Sequence, residues 1–376
     1  MAGAVVFVND LFDEDITIDG KTFPWIHSIS IKGKVNSARQ VTIQFATREG
    51  LEMCKIGSTL RVQAGKSDVA KGIDFVGKIK SVVPSYDVST ATAFDYVADL
   101  NSSELFYVDD KDFAGMDLIQ AAKMGLNNSQ DDNIYHVDAT TEINLKHFNT
   151  QCGVTYKKDQ GFGGYQTRKS FLDNIFDEAY TAKPSTTYLG GAYPSFTFLR
   201  WYYAIRNNNI LEAFQPDIYT EVPVATLGRN SFNIVGNGLN ATIDTARMIN
   251  SIIVKSDNSD YVAAYSDTSS INQYGSQSSL VSVKTSDPSK MDELARSIVN
   301  SNNEPAGAYT LMVENGHWID IGNVVEVNIP ILEKSQRMVV NEYTTIIKNT
   351  ITTTLTLGTG RITTSELIKR LADSNS

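Results

Sequence analysis

The stretch that decides the fold runs from Ala308 to Gly358. It opens with Tyr309-Thr310-Leu311-Met312-Val313 and Glu314-Asn315-Gly316. It continues through Ile319, Ile321-Gly322 and Val324-Val325-Glu326-Val327-Asn328-Ile329. After Pro330 to Gln336 come Arg337 to Lys348 and Thr350-Ile351-Thr352-Thr353-Thr354-Leu355-Thr356-Leu357-Gly358. Tyr309, Leu311 and Val313 fall on one face of a strand, with Thr310 and Met312 on the other. Val325, Val327 and Ile329 alternate with Glu326 and Asn328, and Ile351, Thr353, Leu355 and Leu357 alternate with threonines. A two-residue period rich in β-branched side chains predicts antiparallel strands with one buried face. Asn315-Gly316 predicts a hairpin with positive φ at both residues. The expectation is a small β-barrel or sandwich.

A matching pattern lies near the start. Ile56-Gly57-Ser58-Thr59-Leu60-Arg61-Val62 reads like Ile321-Gly322-Asn323-Val324-Val325-Glu326-Val327. Each follows an alternating strand, Val41 to Phe45 in one case and Tyr309 to Val313 in the other. Each precedes a long strand pair: Phe75 to Val83 with Thr92 to Leu100, and Met338 to Lys348 with Thr350 to Leu357. The fold class expected is mainly β with an α+β insert, two similar small β-barrels flanking a mixed middle domain. The boundaries read as residues 1–101 for the first barrel and 102–220 for the middle domain. Residues 221–360 hold the second barrel with preceding strands and a helix, and 361–376 a helical tail.

At 376 residues the chain can hold two or three domains. A formal net charge of −10 argues against gripping a nucleic-acid backbone, which takes a basic surface. Two cysteines, Cys54 and Cys152, offer no disulfide framework and suit a reducing compartment. No apolar run approaches the ~20 residues of a membrane helix. Met1 to Leu11 lacks the basic start and apolar core of a signal peptide, so synthesis and assembly in the cytosol are expected.

Between the two β regions, three stretches carry helix signals. Ala114 to Met124 has Asp112 and Asp117 near its start and Gly125 after it. Arg168 to Thr181 puts Phe171, Leu172, Ile175, Phe176 and Ala179 on one stripe. Ser289 to Asn300 follows Asp287-Pro288, a cap and a first-turn proline. Ala4 to Val8 reads as a strand, Asp19-Gly20 as a hairpin turn, Arg48 to Met53 as one helical turn, and Ser269 to Ser282 as a polar stretch.

Chemistry is thin. His27, His136, His147 and His317 contain no i, i+4 pair for a helix-borne metal site. Neither cysteine has a CxxC or a catalytic neighbour. Asp109, Asp110 and Asp112 resemble the start of a calcium loop, but the glycine and terminal glutamate fall out of register; capping accounts for them better. Gly236-Asn237-Gly238 and Gly161-Phe162-Gly163-Gly164 lack the strand–loop–helix setting of phosphate loops. A carboxylate pair of the glycosidase kind, from Asp131-Asp132 or Asp257 and Asp260, stays open, because such partners come from distant sequence. Trp201-Tyr202-Tyr203 can stack on sugars or bases, or fill a core. No catalytic, cofactor-binding or metal residue is assigned, and no cofactor.

An ordered series of segments resembles the hub proteins of bacteriophage tails, the late control protein D, PBSX-like and T4-like baseplate hub family. The series is Met248 to Lys255, Ser270-Ile271-Asn272-Gln273-Tyr274-Gly275, Leu294-Ala295, Glu304-Pro305, Tyr309 to Val313, Ile321 to Val325 and Thr353 to Gly358. Upstream, Ser170-Phe171-Leu172-Asp173 to Ala179 is similar to the central helix of these hubs. The resemblance implies a structural homotrimer with no enzymatic activity. Two barrels from each of three subunits would give a pseudo-six-fold adaptor in the virion tail baseplate. The partners it implies are the tail tube protein, a spike or tip protein, baseplate wedge proteins and the tape measure protein, with DNA passing transiently through the lumen. The hub of a non-viral contractile injection system and a polysaccharide-binding or degrading β-protein remain as alternatives.

Overall fold

The computed structural model describes residues 16–23, 26–64, 73–102, 105–127, 134–136, 142–158, 162–184, 196–206, 210–228, 234–244, 248–303, 306–329 and 334–358. The strand expected at Ala4 to Val8 and the helix expected in 361–376 lie outside them. The chain is mainly β and divides into two compact units. The first gathers Met1–Ala179, Trp201–Asn240 and Tyr309–Gly358; the second gathers Tyr180–Arg200, Ala241–Ala308 and Thr359–Ser376.

Ten strands carry the main architecture: β1 (Ile26–Lys34), β2 (Gln40–Phe45), β3 (Thr59–Ala64), β4 (Ile73–Val83), β5 (Ser89–Phe94), β6 (Ile234–Asp244), β7 (Ala306–Glu314), β8 (Val324–Ile329), β9 (Lys334–Ile347) and β10 (Ile351–Gly358). With three short strands they form a thirteen-stranded sheet. Its order runs β6-β7-β10-β9-β1-β2-β5-β4-β3, with β8 branching from β9. This replaces the expectation of two closed barrels: among the described residues the hydrogen-bonded path is open, and the two β regions are welded into one sheet. The weld is the antiparallel ladder between β9 and β1, Glu342 opposite Lys34 through Ile347 opposite Ile29. One core serves both sides, with Ile29, Ile31, Val41, Ile43 and Phe75 joined to Leu311, Val325, Val340 and Leu355.

Within that sheet the chain repeats itself. β3 pairs β4, β4 pairs β5 and β5 pairs β2. In the same way β8 pairs β9, β9 pairs β10 and β10 pairs β7. The registers correspond. Ile79 faces Ala93, which faces Val41; Val340 faces Leu357, which faces Tyr309. Each long strand carries a bulge one step on, between Ile79 and Ser81 and between Val340 and Glu342. Gly57 N–H donates to Ile79 O at 2.8 Å, and Gly322 N–H donates to Val340 O at 2.8 Å. Ile79 N–H returns to Ser58 O, and Val340 N–H to Asn323 O, at 2.9 and 3.0 Å. A bulge adds twist and re-aims the rest of its strand, so sharing its position means sharing a shape.

Three local expectations change. The strand expected to run from Thr92 to Leu100 stops at Phe94. Asp95 then accepts from the Val97 N–H and starts a 3-10 turn, Tyr96–Ala98, followed by the helix Asp99–Ser102. Asn315-Gly316 does not join paired strands, since the partner of β7 is β10. Asn315 takes a positive φ of 55°, but Gly316 does not, and Asn315 N–H donates instead to Ile351 O at 2.9 Å. The polar stretch at Ser269 to Ser282 holds a helix, Thr268–Tyr274, capped by Asp267, and a strand, Ser278–Val283. Asp19 and Gly20 do form a turn with positive φ at both positions, 49° and 74°.

The rest of the first unit is the mixed insert. Helices Leu118–Asn127 and Arg168–Glu178 pack with a four-stranded sheet around Phe148, Phe171, Phe176 and Tyr203. In the second unit, Pro288–Asn302 lays Met291, Leu294, Ala295, Ile298 and Val299 on a three-stranded sheet through Ile252, Val254, Val281 and Val283. Asp287 caps that helix and Pro288 opens it, as expected.

The paired glycines give a test. Gly57 (φ 91°) has open space where a Cβ would stand, whereas a Cβ on Gly322 (φ 75°) would lie 2.3 Å from the Phe214 ring. Gly57→Ala meets only the left-handed backbone penalty, about 1–2 kcal/mol. Gly322→Ala adds steric overlap, about 1–3 kcal/mol more. Urea unfolding of the two variants is expected to rank Gly322→Ala as the less stable; equal midpoints would contradict the packing described.

Candidate functional site at the junction of the repeats

The junction is built on Tyr343. It stands directly opposite Gly33 across the β9–β1 ladder, and a Cβ on Gly33 would fall 2.4 Å from the tyrosine ring. Glycine is therefore required for the ring to lie across β1, an aromatic covering a bare strand position. Tyr343 is buried, and Arg39 lies near enough to act on its hydroxyl electrostatically. Arg39 is itself buried, with its guanidinium over the Phe75 ring and Nη1 donating to the Asp74 carbonyl at 3.1 Å.

Asp95 completes the node. It accepts from Arg39 N–H at 2.9 Å, Arg39 Nε at 3.4 Å and Val97 N–H at 3.1 Å, and is 1% exposed. The carboxylate that ends β5 is thus the counter-ion of the arginine that precedes β2. Burial pushes Asp95 up to about 6, against the downward pull of Arg39 and its N–H donors. Burial, then the nearby Asp320, pushes the Tyr343 hydroxyl well up, so it stays protonated.

Charge continues from this node into the insert. Arg206 Nε lies 3.8 Å from Asp320, which sits in the turn leading to Gly322. Arg206 Nη1 contacts Glu212 at 3.3 Å, and Lys146 Nζ contacts the other Glu212 oxygen at 3.0 Å. Arg206 also lies over Phe214, the ring that rests against Gly322. Arg206 thus ties the insert to the second repeat, while Arg39 and Asp95 pair within the first. These groups pair with one another and position the strands that carry them.

The residues singled out in the sequence are dispersed. His27 is half-buried beside the bulge of β1, His147 is exposed with a φ of 65°, and His317 is half-buried after the Asn315 turn; His136 ends a strand of the insert. Among the described residues no three His, Cys, Asp or Glu side chains are grouped to hold a metal ion. Cys54 and Cys152 are free and buried, and burial pushes each thiol up to about 12, far from a reactive thiolate. Asp109 caps the helix Asp110–Phe113, and Asp110 accepts from the Tyr156 hydroxyl at 2.6 Å. Gly236 and Gly238 lie inside β6, and Gly164 opens a strand at φ 115°. Gly161, Asp131 and Asp132 lie outside the described residues. Asp257 and Asp260 are exposed at the end of a strand.

Trp201, Tyr202 and Tyr203 are all buried. Tyr203 donates its hydroxyl to Asp173 at 2.6 Å and exchanges backbone contacts with Asn36, so this cluster is core and offers no stacking face. The exposed aromatic pair is elsewhere. Tyr107 and Tyr165 meet edge to face, 5.1 Å between centroids, on a two-stranded sheet. The sequence gives no cue to it, because Tyr107 and Tyr165 meet only through strand pairing.

No family model matches the chain, and no curated protein matches it. Solved structures of tail proteins do, and the chain shares their fold, as the resemblance in the sequence implies. The 43 kDa tail protein of prophage MuSo2 from Shewanella oneidensis is similar with a TM-score of 0.56, over 94% of this chain and 99% of that one, at 13% identity. The tail protein from Neisseria meningitidis MC58 gives 0.53 over 94% and 98%, also at 13% identity. Prophage tail protein gp18 from Listeria monocytogenes EGD-e gives 0.51 over 94% and 95%, at 10% identity. Among the described residues no helix is long and apolar enough to cross a membrane.

The node sets a pH dependence. Asp95 titrates at about 6 in the folded chain, above its ordinary 3.8. The folded state therefore holds this proton more tightly. The contribution to stability grows as pH falls through about 6 and is complete below the unfolded value. The span is about 1–3 kcal/mol. Urea midpoints are expected to show this term in the native chain and to lose it in Asp95→Asn. Arg39→Met, which removes the cation holding Asp95 down, is expected to move the transition to higher pH.

Proposed function

We propose that this protein is the structural hub of a phage tail baseplate. It works as a homotrimer that presents six similar β surfaces, joining a six-fold tail tube to a three-fold spike around a channel for genome passage. The observation that carries the reading is the internal repeat: β1–β5 and β6–β10 share strand pairing, bulge position and glycine-led turn within one chain. Three chains cannot offer six equivalent docking surfaces unless each supplies two. The tail-protein fold supports the setting, and the buried contacts that join the repeats support a role in assembly. The acidic balance of the chain suits a conduit that conducts DNA without retaining it.

In this reading residues 1–101 and 221–360 supply the tube-facing parts, 102–220 the insert between them and 361–376 a tail. The partners are the tail tube protein, the spike or tip protein, the wedge proteins and the tape measure protein. The place of action is the virion tail, after assembly in the host cytoplasm.

Sedimentation of the purified full chain at micromolar concentration is expected to give a trimer, with interfaces on the order of 2,000 Å² or more as in permanent assemblies. Electron micrographs are expected to show three-fold rings with six-fold modulation. A monomer under these conditions would overturn the proposal. The pure protein is also expected to leave peptidoglycan and polysaccharide intact. Hydrolysis abolished by one carboxylate substitution would replace the structural reading with an enzymatic one.

A further inference from the structure

The repeat specifies which strands meet between subunits. Inside one chain the second half of β9, Glu342 to Ile347, pairs with β1. The counterpart of β9 is β4, and the counterpart of β1 is β6. The counterpart contact, β4 with β6, is not made among the described residues. β3 covers Ile73 to Lys78 of β4, and beyond the bulge that side of Ser81 to Val83 has no strand partner among the described residues. β6 pairs β7, as β1 pairs β2, and then ends the sheet. One ladder is closed internally, and its two counterpart edges have no strand partner among the described residues.

We propose that these edges belong to each other in neighbouring copies: β6 of one subunit pairs with the Lys80–Val83 edge of β4 in the next. The inference rests on the trimer reading above and names its interface. The occupant is a second copy of this chain, because β9–β1 is the same contact already built. Register correspondence matches Ser81 to Glu342, Val82 to Tyr343, Val83 to Thr344 and Pro84 to Thr345. Tyr343 is buried under β1, whereas Val82 is only partly buried and Val83 is 61% exposed. Strand addition over β4 would give Val82 the cover that Tyr343 has.

The hydrogen bonds limit its length. Val35 N–H donates to Asn341 O at 3.0 Å, so donors and acceptors toward β1 fall at alternate residues, 341, 343 and 345. The counterparts are Lys80, Val82 and Pro84. Proline has no N–H, so the ladder ends before it, and Val82 is the amide donor that remains. A short ladder stopped by proline permits one specific partner and discourages open-ended strand addition. The contact is heterologous, β4 to β6, and closes a ring when three copies complete the rotation.

The test places a photoreactive benzoylphenylalanine at Val83 in the full chain. Irradiation of the trimer is expected to join two chains, with the adduct in residues 234–244. A trimer whose adducts map elsewhere overturns this interface and leaves the trimer standing. A monomer by sedimentation overturns both. As a second variant, Val82→Pro removes the remaining donor and is expected to weaken association about tenfold at each interface. Val83→Thr, the residue type at the counterpart Thr344, is expected to leave association unchanged. Unchanged association in a folded Val82→Pro protein also counts against the ladder.

Discussion

The structure depends on a ladder between strands that lie at opposite ends of the chain. β1 and β9 meet through Gly33 and Tyr343, and every other feature of the first unit follows from that meeting. The pairing joins two five-strand repeats into one sheet and makes their apolar faces one core. It also buries Arg39 and Asp95 where both repeats converge. Closing a loop as long as the chain carries an entropic cost that rises only slowly with length, so one well-packed ladder can offset it. The ion pair is a specificity device here more than a source of net stability. Burying two charges costs several kcal/mol each, and the returned contacts fix which strands adjoin.

Much of the local architecture was legible in the sequence. The alternation at Tyr309 to Val313 and Thr353 to Leu357 named the strands and their buried faces. The matched Ile56-Gly57 and Ile321-Gly322 marked the repeat, because a glycine with positive φ must recur wherever that turn recurs. Asp287-Pro288 marked a helix start for reasons of capping that act within a few residues. These signals share one property: the physics that produces them is local.

What the sequence hid is non-local. Nothing near Asp95 says that it ends a strand; it receives Arg39, which lies 56 residues earlier in the chain and meets it through the pairing of β2 with β5. Asn315-Gly316 carried a hairpin signal, but β7 pairs with β10, a strand made later in the chain than the one that follows the turn. Trp201-Tyr202-Tyr203 looked like a stacking surface, and the partners that bury it, Asp173 and Asn36, come from remote segments. The exposed Tyr107–Tyr165 pair is invisible for the same reason. Two barrels seemed to follow from two repeats because a repeat suggests closure on itself. Here the long strand of the second repeat is left half-covered past its bulge, and the first repeat supplies the cover.

The order in which the chain leaves the ribosome gives the β1–β9 ladder a further consequence. β1 is made long before its second neighbour, β9. Over the interval between them the strand has one unsatisfied edge, the condition under which nascent chains stick to one another. The sequence of that edge is suited to waiting. Lys32 and Lys34 point outward from it, and Gly33 between them offers no side chain for a stray strand to pack on. Charge on an edge discourages wrong partners, and an empty position discourages all but the one ring shaped to fill it.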